Sequence, residues 1–344
     1  MKCAVFLVLF AAALRAAPDP KAAAAANAGL ALAREGKYEP ALRHYRAALA
    51  LDPALPGLHL NFGLAYFKLN RFADAAPMFE QAVRSDPGSF QARVLLGMSY
   101  YGSRRFTDAA AALQGAIEQQ PDNTELRFRL AQSYIWSKQY EAAKKEFRRL
   151  LTQNPNSAPV HMLLGEVLDA GGQGDQAITE FEAAVKASPA EPQVHFGLGY
   201  LYWKQKRYPE AKREFRAELA TQPQHTQALT YLADAEMHSG DEAAAEGHLR
   251  RALKLDPRIR LAHLNLGILL AARNAFEEAA PHFREAIRLD PSKPDAHYRL
   301  GRLWLSMGRQ QEANAEFAKV KSLAKPEQPE ALMDVPGRAA GPSQ

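Results

Sequence analysis

Small, apolar and proline positions recur along this chain on a fixed period. Pro53, Pro87, Pro121, Pro155, Pro189, Pro223, Pro257 and Pro291 stand 34 residues apart. Ala41, Ala75, Ala109, Ala143, Ala177, Ala211, Ala245, Ala279 and Ala313 keep the same step. A third series reads Gly29, Gly63, Gly97, Gly165, Gly199, Gly267 and Gly301, with Ala131 and Ala233 in its gaps. A fourth reads Tyr45, Phe79, Leu113, Phe147, Phe181, Phe215, Leu249, Phe283 and Phe317. Four series in one register, without insertion or deletion, define nine repeats over residues 22–327. Within the second repeat, Leu60, Leu64 and Phe67 fall at spacings of four and three, as one face of a helix requires. The pattern predicts a first helix over 56–69 and a second over 72–85. Asn70, and Gly36, Gly172, Gly240 and Gly308 at the same place elsewhere, are turn residues between the two. The periodic proline ends the second helix because it cannot continue the hydrogen-bond ladder. The Gly/Ala series belongs where two helix backbones approach most closely, with the aromatic series filling the space beside it.

The second repeat carries Phe62-Gly63, Tyr66, Ala75, Phe79, Ala82 and Pro87. This order of aromatic, Gly, aromatic, Ala, Phe, Ala and Pro closely resembles the tetratricopeptide repeat family, over nearly the whole chain beyond the first twenty residues. The resemblance implies an all-α fold, a right-handed α-solenoid of nine helix-turn-helix repeats. In it the first helix of each pair lines the concave side. It says little about function, since one fold hosts many roles.

The two ends differ from the repeats. Met1-Lys2 is followed by an apolar run from Cys3 to Leu14, then Ala16, Ala17 and Pro18, the layout of a secretory signal peptide. Residues 1–16 are expected to be removed after Ala16, and the run is too short to span a membrane. Residues 17–21 read as a linker, in which Asp19 caps the first helix and Pro20 opens it. The expected location is periplasmic or secreted, in a bacterium. Where earlier repeats carry Leu49, Val83, Ile117, Leu151, Val185, Leu219, Leu253 and Ile287, the ninth carries Lys321, as a terminal repeat with a polar outer face should. Residues 328–344 hold Pro336 and Pro342 and no periodicity, and are expected to be a disordered tail.

Composition narrows the picture further. With 47% hydrophobic and 24% charged residues, the 344-residue chain is neither collagen-like nor multispanning. A net charge of +5 is too mild to announce nucleic-acid binding. A single cysteine excludes a disulfide framework and a Cys-based zinc site.

No catalytic constellation is evident, so the chain reads as a non-enzyme without cofactor. His59, His161, His195, His263 and His297 share one register. Packed helices stand about 10 Å apart, whereas zinc needs each nitrogen at about 2 Å, so the ladder is read as packing and no metal is expected. Gly171-Gly172-Gln173-Gly174 lacks the Lys-Ser/Thr of a phosphate loop and reads as a turn. Ser322 and Lys325 have Ser-X-X-Lys spacing without companion motifs. Lys144, Lys145, Arg148 and Arg149 read as a solvated face. The family's carboxylate clamp is poorly matched. Only Asn61 fits in repeats one to three, and only Asn265 and Arg299 in repeats seven to nine.

The informative surface is the one the first helices turn toward the groove. It is apolar and aromatic: Leu60, Leu64 and Phe67; Met98 and Tyr101; Phe128 and Trp136; Phe196, Tyr200 and Trp203. Polar breaks fall at Glu166, Asp169, Thr230 and Asp234. These residues are the candidate partner-binding groove for a hydrophobic polypeptide segment or helix, since aromatic anchors are what hot spots use. The competing reading is core packing, because apolar stripes at helical spacing usually pack. A glycan-binding scaffold of exopolysaccharide export is the alternative function, with Tyr101, Trp136 and Trp203 stacking on sugar rings. Self-association stays open, and the partner's identity is not legible. Glu218, Glu236 and Glu242 stand where other repeats place packing residues, which predicts a weak boundary between repeats six and seven.

Overall fold

The computed structural model describes residues 18–323, so the signal segment 1–16, Lys325 and the tail 328–344 lie outside the described residues. The described chain is all helix and turn, an α-solenoid of stacked helix-turn-helix repeats. It divides into two compact bodies at Lys138. The first holds α1 (Pro20–Arg34), α2 (Tyr38–Leu51), α3 (Leu58–Lys68), α4 (Phe72–Ser85), α5 (Phe90–Gly102), α6 (Phe106–Ile117) and α7 (Thr124–Trp136). The second holds α8 (Tyr140–Gln153), α9 (Ala158–Ala170), α10 (Gly174–Ala187), α11 (Val194–Lys204), α12 (Tyr208–Thr221) and α13 (Thr226–His238). It continues with α14 (Glu242–Leu255), α15 (Arg260–Ala272), α16 (Phe276–Leu289), α17 (Pro294–Ser306) and α18 (Gln310–Leu323).

The boundaries follow from local chemistry. Asp19 caps α1 by accepting from the backbone N–H of Lys21 at 2.7 Å and of Ala22 at 3.2 Å. Asn123 does the same for α7, accepting from Leu126 N–H at 3.0 Å. In the turn between paired helices, one residue per repeat has positive φ: Gly36, Asn70, Arg104, Lys138, Gly172, Lys206, Gly240, Asn274 and Gly308. The left-handed turn is thus a property of the repeat, and glycine is its low-strain occupant rather than a requirement.

The small and aromatic series meet as the spacing requires. A Cβ added at Gly63 would lie 2.7 Å from the Phe79 ring, and one at Gly199 would lie 2.8 Å from Phe215. Successive repeats are fastened by a second recurring contact, made across 20 residues. Arg46 donates to the Tyr66 hydroxyl at 3.4 Å, Tyr100 donates to Glu80 at 2.7 Å and Tyr202 donates to Glu182 at 2.5 Å. An arginine one turn on stacks over each ring, with Arg71, Arg105 and Arg207 at 4.8, 4.3 and 4.4 Å from the centroids of Tyr66, Tyr100 and Tyr202.

The carboxylates between repeats six and seven are absorbed into this scheme. Glu236 occupies the tyrosine register, is fully buried, and pairs with Arg216 at 3.0 Å and His248 at 2.8 Å. Glu218, also buried, accepts from the Phe196 backbone N–H at 3.0 Å and from Gln222 at 2.7 Å. Glu242 is exposed in the first turn of α14, where a negative charge suits the helix N-terminus. Sequence reading placed three carboxylates in a packing surface. The structure buries two of them against polar partners and leaves the third exposed, 3.6 Å from Arg273.

Candidate functional site

In the first body, α3, α5 and α7 position the groove candidates. Each helix already spends one face on packing, through the buried Phe62, Leu96 and Leu130. On the adjoining face, Leu60, Leu64, Phe67, Met98, Tyr101, Phe128 and Trp136 are each only partly buried. Aromatic residues that open the second helices brace them, a contribution not drawn from the spacing within first helices. Phe72 meets Phe67 edge-on at 5.2 Å, and Phe106 meets Tyr101 edge-on at 5.4 Å while stacking on Trp136 at 5.8 Å. Burial raises the Tyr101 phenol above its ordinary pKa, and a hydrogen bond with Trp136 offsets part of that. The rings are held in fixed orientation yet retain apolar surface.

In the second body, the α11 candidates are placed differently. Phe196 and Tyr200 are 0% and 1% exposed, and so belong to the core. The cause is a residue in the next repeat. Tyr231 of α13 lies edge-on to Tyr200 at 5.2 Å and to Trp203 at 4.9 Å, and within 6.1 Å of Phe196 and Phe215. His225 also stacks on Phe196, at 4.8 Å. Trp203 keeps some exposure, but its indole N–H donates to Asp234 at 2.6 Å. The expected row of three open rings is therefore a closed aromatic cluster. A single-helix reading could not show this, because the covering ring sits 31 positions from Tyr200.

The polar breaks also turn inward. Asp234 accepts from Asn265 at 2.9 Å as well as from Trp203, and Asp169 pairs with Lys204 at 2.8 Å. Asp295 pairs with Arg260. Asn265 and Asp295, which stand at clamp positions, are thus engaged within the chain. The basic cluster is partly neutralised, since Lys144 is buried against Glu141 at 2.6 Å and Arg149 pairs with Glu146 at 3.0 Å.

The histidine ladder pairs across each repeat rather than along the array. His161, His195 and His297 meet Glu180, Glu214 and Glu316 of their own repeats at 2.6, 2.7 and 2.6 Å. His59 has no such partner among the described residues, and burial, followed by Arg84, lowers its pKa. Among the described residues no group of three or more His, Cys, Asp or Glu could hold a metal ion. None of the described helices is long and apolar enough to cross a membrane. One exposed face was missed by the sequence reading. On α17, Tyr298 and Leu305 are 42% and 39% exposed, with Arg302 between them donating to the Tyr298 hydroxyl at 3.3 Å.

Comparison with known families decides the fold's kinship. A tetratricopeptide repeat model matches residues 60–124, 162–211, 196–258, 233–294 and 264–329, more than half of the chain. Related models match residues 100–167 and 29–70. The chain belongs to the tetratricopeptide repeat family. No curated protein matches it. Among solved structures, it is similar to the C-terminal part of a TPR repeat-containing protein from Cytophaga hutchinsonii, at 15% identity and a TM-score of 0.57. That match covers 70% of this chain and 98% of the other. It is also similar to the APC/C hetero-tetramer Cut9-Hcn1, at 14% identity and a TM-score of 0.55, covering 91% of this chain and 75% of that one. At these identities the likeness speaks to the fold alone.

Proposed function

We propose that this tetratricopeptide repeat protein is a non-enzymatic interaction scaffold that holds a hydrophobic polypeptide segment or helix against its first-helix face. The observation that carries the reading is the set of rings on α3, α5 and α7. Phe67, Tyr101 and Trp136 are fixed by neighbouring rings, yet their surface is not fully used by the fold. Preorganised aromatic surface of this kind binds an apolar segment at low entropic cost. Phe196 and Tyr200 are buried in the α11 cluster and lend no open surface, so the reading rests on the rings of α3, α5 and α7.

The test is a Tyr101→Ala/Trp136→Ala double variant, used beside wild type to capture partners from the native extract. Loss of about 2 kcal/mol of binding per anchor is expected if these rings are hot spots. The melting temperature should move little, because neither ring is fully buried. If the double variant captures the same proteins as wild type, the reading fails. If it melts far lower, the rings belong to the core.

A further inference from the structure

One pair of histidines departs from the pattern that the other repeats set. In repeats five, six and nine, the histidine on the first helix faces a carboxylate on the second, namely Glu180, Glu214 and Glu316. In repeat eight the facing residue on α16 is His282, and its Nδ1 lies 2.9 Å from Nδ1 of His263 on α15. The rings are 5.2 Å apart and tilted by 37°. His263 Nε2 lies 3.0 Å from the carbonyl oxygen of Pro257. A carbonyl only accepts, so Nε2 of His263 donates to it, and in the neutral ring Nδ1 is then the nitrogen that carries the lone pair on the side of His282. The carbonyl of Pro155 holds His161 in the same way at 2.9 Å, so the repeat itself fixes the far nitrogen, as a backbone carbonyl does for metal-binding imidazoles.

The separation is selective. Two metal–nitrogen bonds of about 2.0–2.1 Å at a right angle span about 2.9 Å, whereas a tetrahedral angle spreads them to roughly 3.3 Å. The 2.9 Å separation is closer to a cis edge of a tetragonal ion than to the wider bite of tetrahedral zinc. We propose that His263 and His282 form a two-nitrogen cis chelate for a tetragonal divalent ion, Cu(II) or Ni(II), with water in the remaining positions.

Proton bookkeeping is simple. The single Nδ1 proton shared by the pair moves to Nε2 of His282, so each ring stays neutral and offers one lone pair. Two waters leave the ion, and no proton is released. No third protein ligand joins the pair among the described residues, so the site is a chelate and not a structural metal centre.

The test uses the full chain with one equivalent of copper sulfate, read by electron paramagnetic resonance, and with nickel chloride, read by thermal melting. His282→Glu recreates the pairing of repeats five, six and nine, and should fold. His282→Gln keeps a donor toward His263 without an imidazole, and guards against any effect of the new charge. In wild type, the copper spectrum should show coupling to two nitrogens, and nickel should raise the melting temperature. Both variants should lose one nitrogen from the spectrum, weaken the site about tenfold or more, and remove the nickel shift. His44→Ala, at an exposed position of α2, should change none of these. The proposal is overturned if either His282 variant binds copper as tightly as wild type with the same spectrum, or if wild type shows no nitrogen coupling.

Discussion

Tyr45 shows what a single atom does in a repeat core. It fills the aromatic register of repeat one, where Phe79, Phe147, Phe181, Phe215 and Phe283 stand elsewhere, and it is 1% exposed. Its hydroxyl is buried without a hydrogen-bond partner among the described residues, and burial raises its pKa. An unpaired buried donor costs about 1–3 kcal/mol, while the ring is needed against Gly29. Tyr45→Phe keeps the ring and removes the cost, so urea denaturation should show a gain of about 1 kcal/mol. A lower midpoint would mean that the hydroxyl is satisfied in solution. The register of Tyr45 was legible in the sequence, whereas the fate of its oxygen was not, because that depends on neighbours within a few ångström. The same limit applies to Phe196 and Tyr200. Their spacing implies one shared face, but not its burial, because the Tyr231 ring that closes over it is invisible to spacing within one helix. His282 escaped notice for a related reason. It faces His263 across a helix pair, 19 positions away, a separation that no single-helix period marks.

At the level of the helix pair, size complementarity between the small and aromatic series sets the packing. A methyl on Gly63 would press on the Phe79 ring at 2.7 Å, an overlap that costs about 1–3 kcal/mol, against about 1 kcal/mol gained in helix propensity. Gly63→Ala should therefore destabilise by about 1 kcal/mol. Two repeats carry the larger residue, repeat seven setting Ala233 with Leu249 and repeat four setting Ala131 with Phe147, all four fully buried. Phe79→Leu should cost stability alone by leaving a gap, yet partly rescue Gly63→Ala. A double-mutant cycle should find coupling of about 1 kcal/mol or more, and additivity would show that the two positions do not meet. Helix boundaries were legible because their signals are local: a capping Asp19, a positive-φ turn and a periodic proline. The pairing of Glu236 was not, because exchanging tyrosine for glutamate is neutral only with Arg216 and His248 in place.

Across the whole array, stability is roughly a sum of repeats and the interfaces between them. The interface fasteners are therefore where conditions act on many residues at once. Tyr100 and Tyr202, one in each body, are pushed up to about 12, by burial first and then by the hydrogen bonds they donate to Glu80 and Glu182. An unfolded tyrosine loses its proton near pH 10, as usual for the free side chain. Between about pH 10 and pH 12 the native chain therefore holds protons that the unfolded chain has released. Stability is then complete below about pH 10 and falls as pH rises through that window. A Tyr100→Phe/Tyr202→Phe variant loses two hydrogen bonds at neutral pH, so it should start lower. It also loses the two displaced titrations, so its melting temperature should decline less steeply from about pH 9.5 to about pH 11.5. Other buried tyrosines with raised pKa values, such as Tyr45 and Tyr101, are common to both proteins and cancel in the comparison. Parallel alkaline limbs would show that these two phenols titrate as free side chains do, and that their contacts to Glu80 and Glu182 open before the array unfolds.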